Sequence, residues 1–271
     1  MKGSSPLSAV ARILALMAFS LVAVPTQAAV VALFADTNYV DYIPGDSDAE
    51  ASNLEASLTA DGHTVNTFTG VTAADWSAAL SGVDVLAVPE QENDAIYPAL
   101  EAGAATAVED FVNNGGTLLI TQDYEGFLNG MFGWALTQTG NDPYDLVAAN
   151  AAGTSFAGGP ATLPYNNDTS SYSNLPAGST CMYENTTGDC TVFTVAIGSG
   201  AVISLGWDWY NAAPTGTGDD GWLDVLSRSM AYQAAAPTAH SIPTLGWPAL
   251  FLLSLTLLGF GARLRGGSIR S

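Results

Sequence analysis

Basic residues are nearly missing from this sequence. Six Lys and Arg stand against 26 Asp and Glu in 271 residues, a formal net charge of −20 at pH 7. Five of the six, Lys2, Arg12, Arg263, Arg265 and Arg270, lie in the two terminal segments, and every acidic residue lies between those segments. The part between keeps Arg228 alone, so its net charge is 1 minus 26, or −25. Such a polyanion is repelled by nucleic acid and by anionic lipid, which excludes a nucleic-acid partner. Most of its carboxylates have no protein cation to pair with. They face water, as on an acidic surface suited to a salty medium, or they face divalent cations.

Histidine and cysteine are almost as scarce, at two each. A triad needs a nucleophile, a base and an orienting acid within hydrogen-bond reach. His63 is the sole histidine in the region expected to fold, and it stands at a helix-to-strand turn, on the edge opposite the strand ends. That position reads as structural. Cys181 and Cys190 flank the turn-like stretch MYENTTGD with no histidine beside them. In an oxidising compartment two cysteines so placed form a disulfide across a hairpin. Gly198-Ser199-Gly200 suits a tight turn between two strands, and it lacks the third glycine and following helix of a dinucleotide-binding loop.

Long apolar runs occur only at the ends. Residues 1–28 begin with Lys2 and Arg12, continue through Ile13 to Val24 and close on Thr26-Gln27-Ala28, the pattern of a secretory signal peptide. Residues 245–262 are nearly all apolar and are followed by Arg263, Arg265 and Arg270. This predicts a single transmembrane helix with a basic cytoplasmic tail over 263–271. Just before it, after a short linker, stand Ile242, Pro243, Thr244, Leu245 and Trp247. This stretch is similar to the Ile-Pro-Thr-Leu carboxy-terminal sorting signal of Gram-negative bacteria. The resemblance implies signal peptidase and an exosortase-type enzyme as processing partners. It also implies an inner-membrane-anchored intermediate bound for the envelope, the surface or the extracellular matrix. One folded domain is then expected over 29–236, with 237–244 as linker and start of the motif.

Within that domain strand and helix alternate. Val30–Ala35, Thr64–Phe68, Val83–Val88 and Thr117–Thr121 read as strands, the last of them an uninterrupted apolar run after the helix stop Asn113-Asn114-Gly115-Gly116. Ala51, Leu54 and Leu58 fall at helical spacing, as do Trp76, Ala79 and Leu80. A long helix is expected over Ile96–Val112. Alternation of this kind argues for right-handed crossovers and a parallel sheet. Residues 137–179 are rich in Gly, Asn, Ser, Thr and Pro and read as an excursion over the sheet edge. Tyr144, Tyr165 and Tyr172 within it either stack on sugars or cover the core. Thr191–Ile197 and Ala201–Trp207 form a hairpin, and Trp222, Val225, Leu226 and Met230 mark a closing helix.

The order of elements, the FVNNGG turn and the strand VISLGWDWY resemble the class I glutamine-amidotransferase-like superfamily, and within it the trehalose-utilisation-type (ThuA-like) branch. The likeness runs over about Val30 to Gln233. It implies an α/β fold, flavodoxin-like and doubly wound, with a mostly parallel sheet and an added β-hairpin. Amidotransferases carry a cysteine between glycines in the turn after the strand corresponding to Thr117–Thr121. Here that turn reads Thr121-Gln122-Asp123-Tyr124, so no catalytic residue is carried over.

Ligands of parallel sheets gather where the strands end. Asp36, Glu90, Gln122, Asp123 and Asp208 all stand there and make up a candidate ligand edge. In the loop after the first strand, Asp46-x-Asp48-x-Glu50 sets oxygen ligands at a spacing calcium accepts, outside the EF-hand pattern. Ser47 or Asp48 equally suits the N-cap of the next helix. Carboxylates in that loop exclude a flavodoxin-type phosphate site. The expected function is a non-catalytic exported domain with a surface binding or structural role, for a glycan or matrix ligand. The alternative is a carboxylate-based, carbohydrate-active or cation-dependent hydrolase.

Overall fold

The computed structural model describes residues 28–123, 126–140 and 143–232. All of the expected signal peptide but Ala28, the expected sorting residues Ile242, Pro243, Thr244, Leu245 and Trp247, the apolar stretch 245–262 and the Arg263 and Arg265 tail lie outside the described residues. Among those described, no helix is long and apolar enough to cross a membrane.

Five strands form the parallel half of one mixed sheet. They are β1 (Val30–Phe34), β2 (Thr64–Phe68), β3 (Val85–Val88), β4 (Thr117–Thr121) and, late in the chain, β11 (Gly200–Leu205). Their order across the sheet is β2, β1, β3, β4, β11. Each of β3, β4 and β11 is buried on both faces, as expected of continuous apolar runs between helices. Alternate residues serve two cores. Val31 and Leu33 pack with Leu54 and Leu58 of α1 (Glu50–Ala60) and with Val225 and Leu226 of α6 (Trp222–Met230). Ala32 and Phe34 face the other way, toward Trp76 of α2 (Ala73–Ala79) and Val108 and Val112 of α3 (Ala102–Asn113). Helices therefore cover both faces of the sheet. A Phe34, Phe68, Trp76 and Phe127 cluster seals the second face, with ring centroids 5.2 to 6.4 Å apart.

The remaining strands continue the sheet in antiparallel fashion. β10 (Cys190–Ile197) turns back on β11 through Gly198 and Ser199, and β9 (Ser179–Glu184) pairs with β10. Cys181 and Cys190 join β9 to β10 as a disulfide, with Cα atoms 5.8 Å apart. The polar excursion supplies the short strands β5 (Thr137–Thr139), β6 (Tyr144–Leu146), β7 (Thr162–Leu163) and β8 (Ser171–Ser173), which extend this half. Two very short helices, α4 (Phe127–Phe132) and α5 (Ala148–Ala151), complete the described chain.

Two expectations need correction. The long helix over Ile96–Val112 is broken. A 3-10 turn at Tyr97–Ala99 gives way to extended backbone at Leu100 and Glu101 before α3 starts. Glu101 explains the break: its amide donates to the Val71 carbonyl, and its carboxylate accepts the Ala73 amide. Pairing with that loop outweighs continuing the helix through Pro98, which has no amide hydrogen to donate. The third strand begins at Val85 instead of Val83, because Asp84 turns its side chain back to accept the Val30 amide at 2.9 Å.

Candidate functional site

The carboxyl ends of β1, β3, β4 and β11 lie along one edge, and five sequence-predicted residues stand there with different fates. Asp36, after β1, holds its own loop. Oδ1 accepts the Asn38 amide and side chain, and Oδ2 accepts the Gly70 amide at 2.9 Å. Asp123, after β4, is buried and accepts the Phe127 and Leu128 amides at 2.6 and 3.0 Å, ordering the first turn of α4. Both act on neighbouring backbone.

Gln122 sits directly after β4 in left-handed backbone, φ 33°. Non-glycine residues adopt that conformation rarely and at a cost of order 1 kcal/mol or more. The turn is held closed from three directions. The Gln122 amide donates to the Leu205 carbonyl at 2.7 Å, and its side-chain Nε2 donates to the Asp168 carbonyl and to Ser170 Oγ. The Ser170 amide in turn donates to the Gly206 carbonyl. At Gly206 a Cβ would collide with the Ser170 carbonyl and the Thr191 hydroxyl, so glycine is what lets this loop lie on the strand end.

Glu90 and Asp208 do meet, and Glu50 joins them. One carboxylate oxygen from each lies within 4.8 Å of the others. All three are buried, with exposures of 9%, 2% and 5% for Glu90, Asp208 and Glu50. Glu90 extends the run beyond β3. Asp208 follows β11, where Trp209 takes φ 76° and buries its ring against Trp207. Asp208 Oδ1 accepts the Tyr210 amide and Oδ2 accepts Asn167 Nδ2, each at 2.9 Å. Glu50 is the first residue of α1, and Asp41 and Glu92 form a second acidic group with it nearer the surface.

Burial dominates the electrostatics of this cluster, with mutual repulsion added. Loss of water pushes Glu90 up to about 9, reinforced by Asp208, Glu50, Glu92 and Asp168. Glu50 rises to about 8, again through burial first and then Glu92, Asp208 and Asp41, against a lowering backbone hydrogen bond. Asp208 rises to about 7 through burial, opposed by the hydrogen bonds from Tyr210 and Asn167. No protein cation is at hand among the described residues. Arg228 is engaged with Asp224 at 2.6 Å and with the carbonyls of Ser155, Ala157 and Gly158. His63 accepts the Ala29 amide at 3.1 Å and lies 3.4 Å from Asp61.

The calcium grouping Asp46, Asp48 and Glu50 is not assembled. Asp46 and Asp48 are in no group of three converging ligands among the described residues, whereas Glu50 turns inward. The Asp48 amide donates to Asp46 Oδ1 at 3.1 Å, a local turn that keeps Asp46 on its own backbone. Neither Ser47 nor Asp48 caps α1. The N-cap is Ala49, without a side-chain hydrogen bond, and the Asp41 carbonyl accepts the Ala51 amide in place of one. Of the three tyrosines, Tyr144 and Tyr172 are core residues, and Tyr165 is 38% exposed. Asp41, Glu92, Asn167 and Asp168 were not among the sequence candidates for this edge. They lie in loops that periodicity does not position.

No family model matches this sequence, and no curated protein does. Among solved structures, a cytoplasmic protein of Salmonella typhimurium LT2 is similar at TM-score 0.51 and 11% identity, over 75% of this chain and 100% of that one. This likeness is one of fold alone. A GMP synthase-type protein from Thermoplasma acidophilum aligns at TM-score 0.49 and 13% identity, over 75% and 94% of the two chains. A ThuA-like protein from Bacteroides uniformis aligns at TM-score 0.46 and 12% identity, over 75% and 89%.

Proposed function

We propose that this chain is an exported domain of flavodoxin-like, amidotransferase-like fold that has no catalytic activity and acts as a binding or structural protein of the bacterial envelope. Export rests on the sequence of residues 1–28. Sorting rests on Ile242 to Trp247, the apolar stretch behind them and the arginines beyond, with signal peptidase and an exosortase-type enzyme as partners. The observation that carries the non-catalytic reading is Gln122. In amidotransferase-like proteins the turn after this strand holds the nucleophile. Here it holds a glutamine whose amide is tied to the loop above it, with no histidine at that edge among the described residues. The carboxylates beside it are left to bind, with a glycan or matrix component as the ligand class.

A hydrolase that uses the carboxylates is the second reading, favoured by the acids held protonated near neutral pH. Their burial counts against glycoside hydrolysis, because exposures of 9%, 2% and 5% leave little room for a sugar ring. Purified protein assayed on a glycan panel, beside Glu90→Gln and Asp208→Asn, decides between the two. The proposal expects no turnover from any of the three; turnover that disappears in the variants would establish the hydrolase. The intact mass of the mature protein tests the export half, which expects residues 1–28 to be gone.

A further inference from the structure

Taking the non-catalytic binding edge as given, we propose that Glu50, Glu90 and Asp208 hold a hard divalent cation between them. Three carboxylates so close, in surroundings drier than water, repel one another unless protonated or bridged by positive charge. Among the described residues, protein charge does not do this. Arg228 is the one Lys or Arg in residues 28–232, and it is bound to Asp224 and three loop carbonyls.

A second observation is independent of the clustering. Glu50 is 5% exposed, and its Oε2 is sealed from water with no hydrogen-bond partner. A buried carboxylate oxygen left without a donor is costly, and native interiors hold few. Glu50 brings a carboxylate oxygen within 4.8 Å of Glu90 and Asp208, the fully buried one of the two acidic groups it joins, so a partner placed among these three would meet it. A cation there serves as that partner for all of them at once. The donors are carboxylate oxygens only, with no cysteine or histidine. Such a set suits Ca2+, Mg2+ or Mn2+ and disfavours Zn2+ and copper. The hydrogen bonds from Tyr210 and Asn167 fix the orientation of Asp208, as outer partners of metal ligands do.

The test uses the full chain in mild detergent, stripped with a chelator and titrated calorimetrically with CaCl2, MgCl2 or MnCl2 separately. At least one of these is expected to bind at one cation per chain with a Kd below millimolar. Glu50→Gln and Asp208→Asn should each weaken that binding tenfold or more, while Asp46→Asn leaves it unchanged. Melting without metal guards against misfolded variants. Glu50→Gln and Asp208→Asn each remove a buried acid, so these two variants in chelator are expected to melt at or above the wild-type temperature at pH 8. No binding of any of the three cations at millimolar concentration would overturn the proposal, as would binding that survives Glu50→Gln. Failure here leaves the non-catalytic reading standing, because turnover on glycans is a separate readout.

Discussion

Glu50, at the start of α1, and Asp208, just beyond β11, bring carboxylate oxygens within 4.8 Å of each other from opposite ends of the domain sequence. Glu90 closes the group from β3. Nothing in the local sequence places Glu50 in this group; the order of the parallel strands brings it together. β1 lies next to β3, and β4 separates β3 from β11. Residues that follow these strands therefore project over one edge, where the amino end of α1 also arrives.

Stability of the metal-free protein should fall as pH rises. Below the ordinary pKa of Asp and Glu, near 4, folded and unfolded chains both carry these protons, and full stability is present. As pH climbs toward the folded values of about 7 for Asp208, about 8 for Glu50 and about 9 for Glu90, the unfolded chain releases protons that the folded one keeps. Each retained proton then costs up to about 1.4 kcal/mol per pH unit. In chelator, the urea midpoint is expected to drop between pH 5 and pH 8, and Glu90→Gln to make the drop shallower. A midpoint that rises over that range would show that these acids are not the buried, unpaired groups described.

Gln122 gives a second prediction. Gln122→Ala removes the side-chain donors to Asp168 and Ser170 and keeps the left-handed backbone. It should cost about 1–3 kcal/mol in urea unfolding. Gln122→Gly loses the same bonds and adopts φ 33° freely, so it should be the more stable of the two variants. The opposite order would mean that the turn relaxes when its side chain is removed.

Removing the Cys181 and Cys190 bridge frees a loop of sequence separation 9. By the chain-entropy estimate the double Ala variant should lose about 2–3 kcal/mol of stability. Because the bridge joins β9 to β10, on the antiparallel side of the sheet, its loss should leave cation binding at the carboxylates unaltered. Parallel melting and calorimetry check both statements.

Much of the architecture could be read from the residues. The apolar runs of β1, β3 and β4 and the glycine-marked hairpin of β10 and β11 are set by local pattern, and the helix stop at Asn113 to Gly116 by glycine geometry. The break at Leu100 was hidden, because the bonds from Glu101 to Val71 and Ala73 come from a distant loop. The site was half visible. Glu90 and Asp208 follow apolar strands, and that marks an edge. Asp36 and Asp123 follow strands as well, yet they spend their oxygens on nearby amides. Sequence spacing grouped Glu50 with Asp46 and Asp48. The chain enters α1 at Ala49, which turns Glu50 inward and leaves the other two on the surface. Which carboxylate turns in depends on the helix entry angle, and that is decided by tertiary packing.

The most direct measurement is a carboxyl carbon NMR titration of the chelated protein, with Glu90→Gln and Asp208→Asn used to assign the signals. The account predicts that Glu90 and Asp208 release their protons at or above about pH 7, and that Glu90 titrates lower when Asp208 is neutralised. Titration of both near pH 4, with no response of Glu90 to Asp208→Asn, would contradict a buried and uncompensated carboxylate cluster at the end of the central strands.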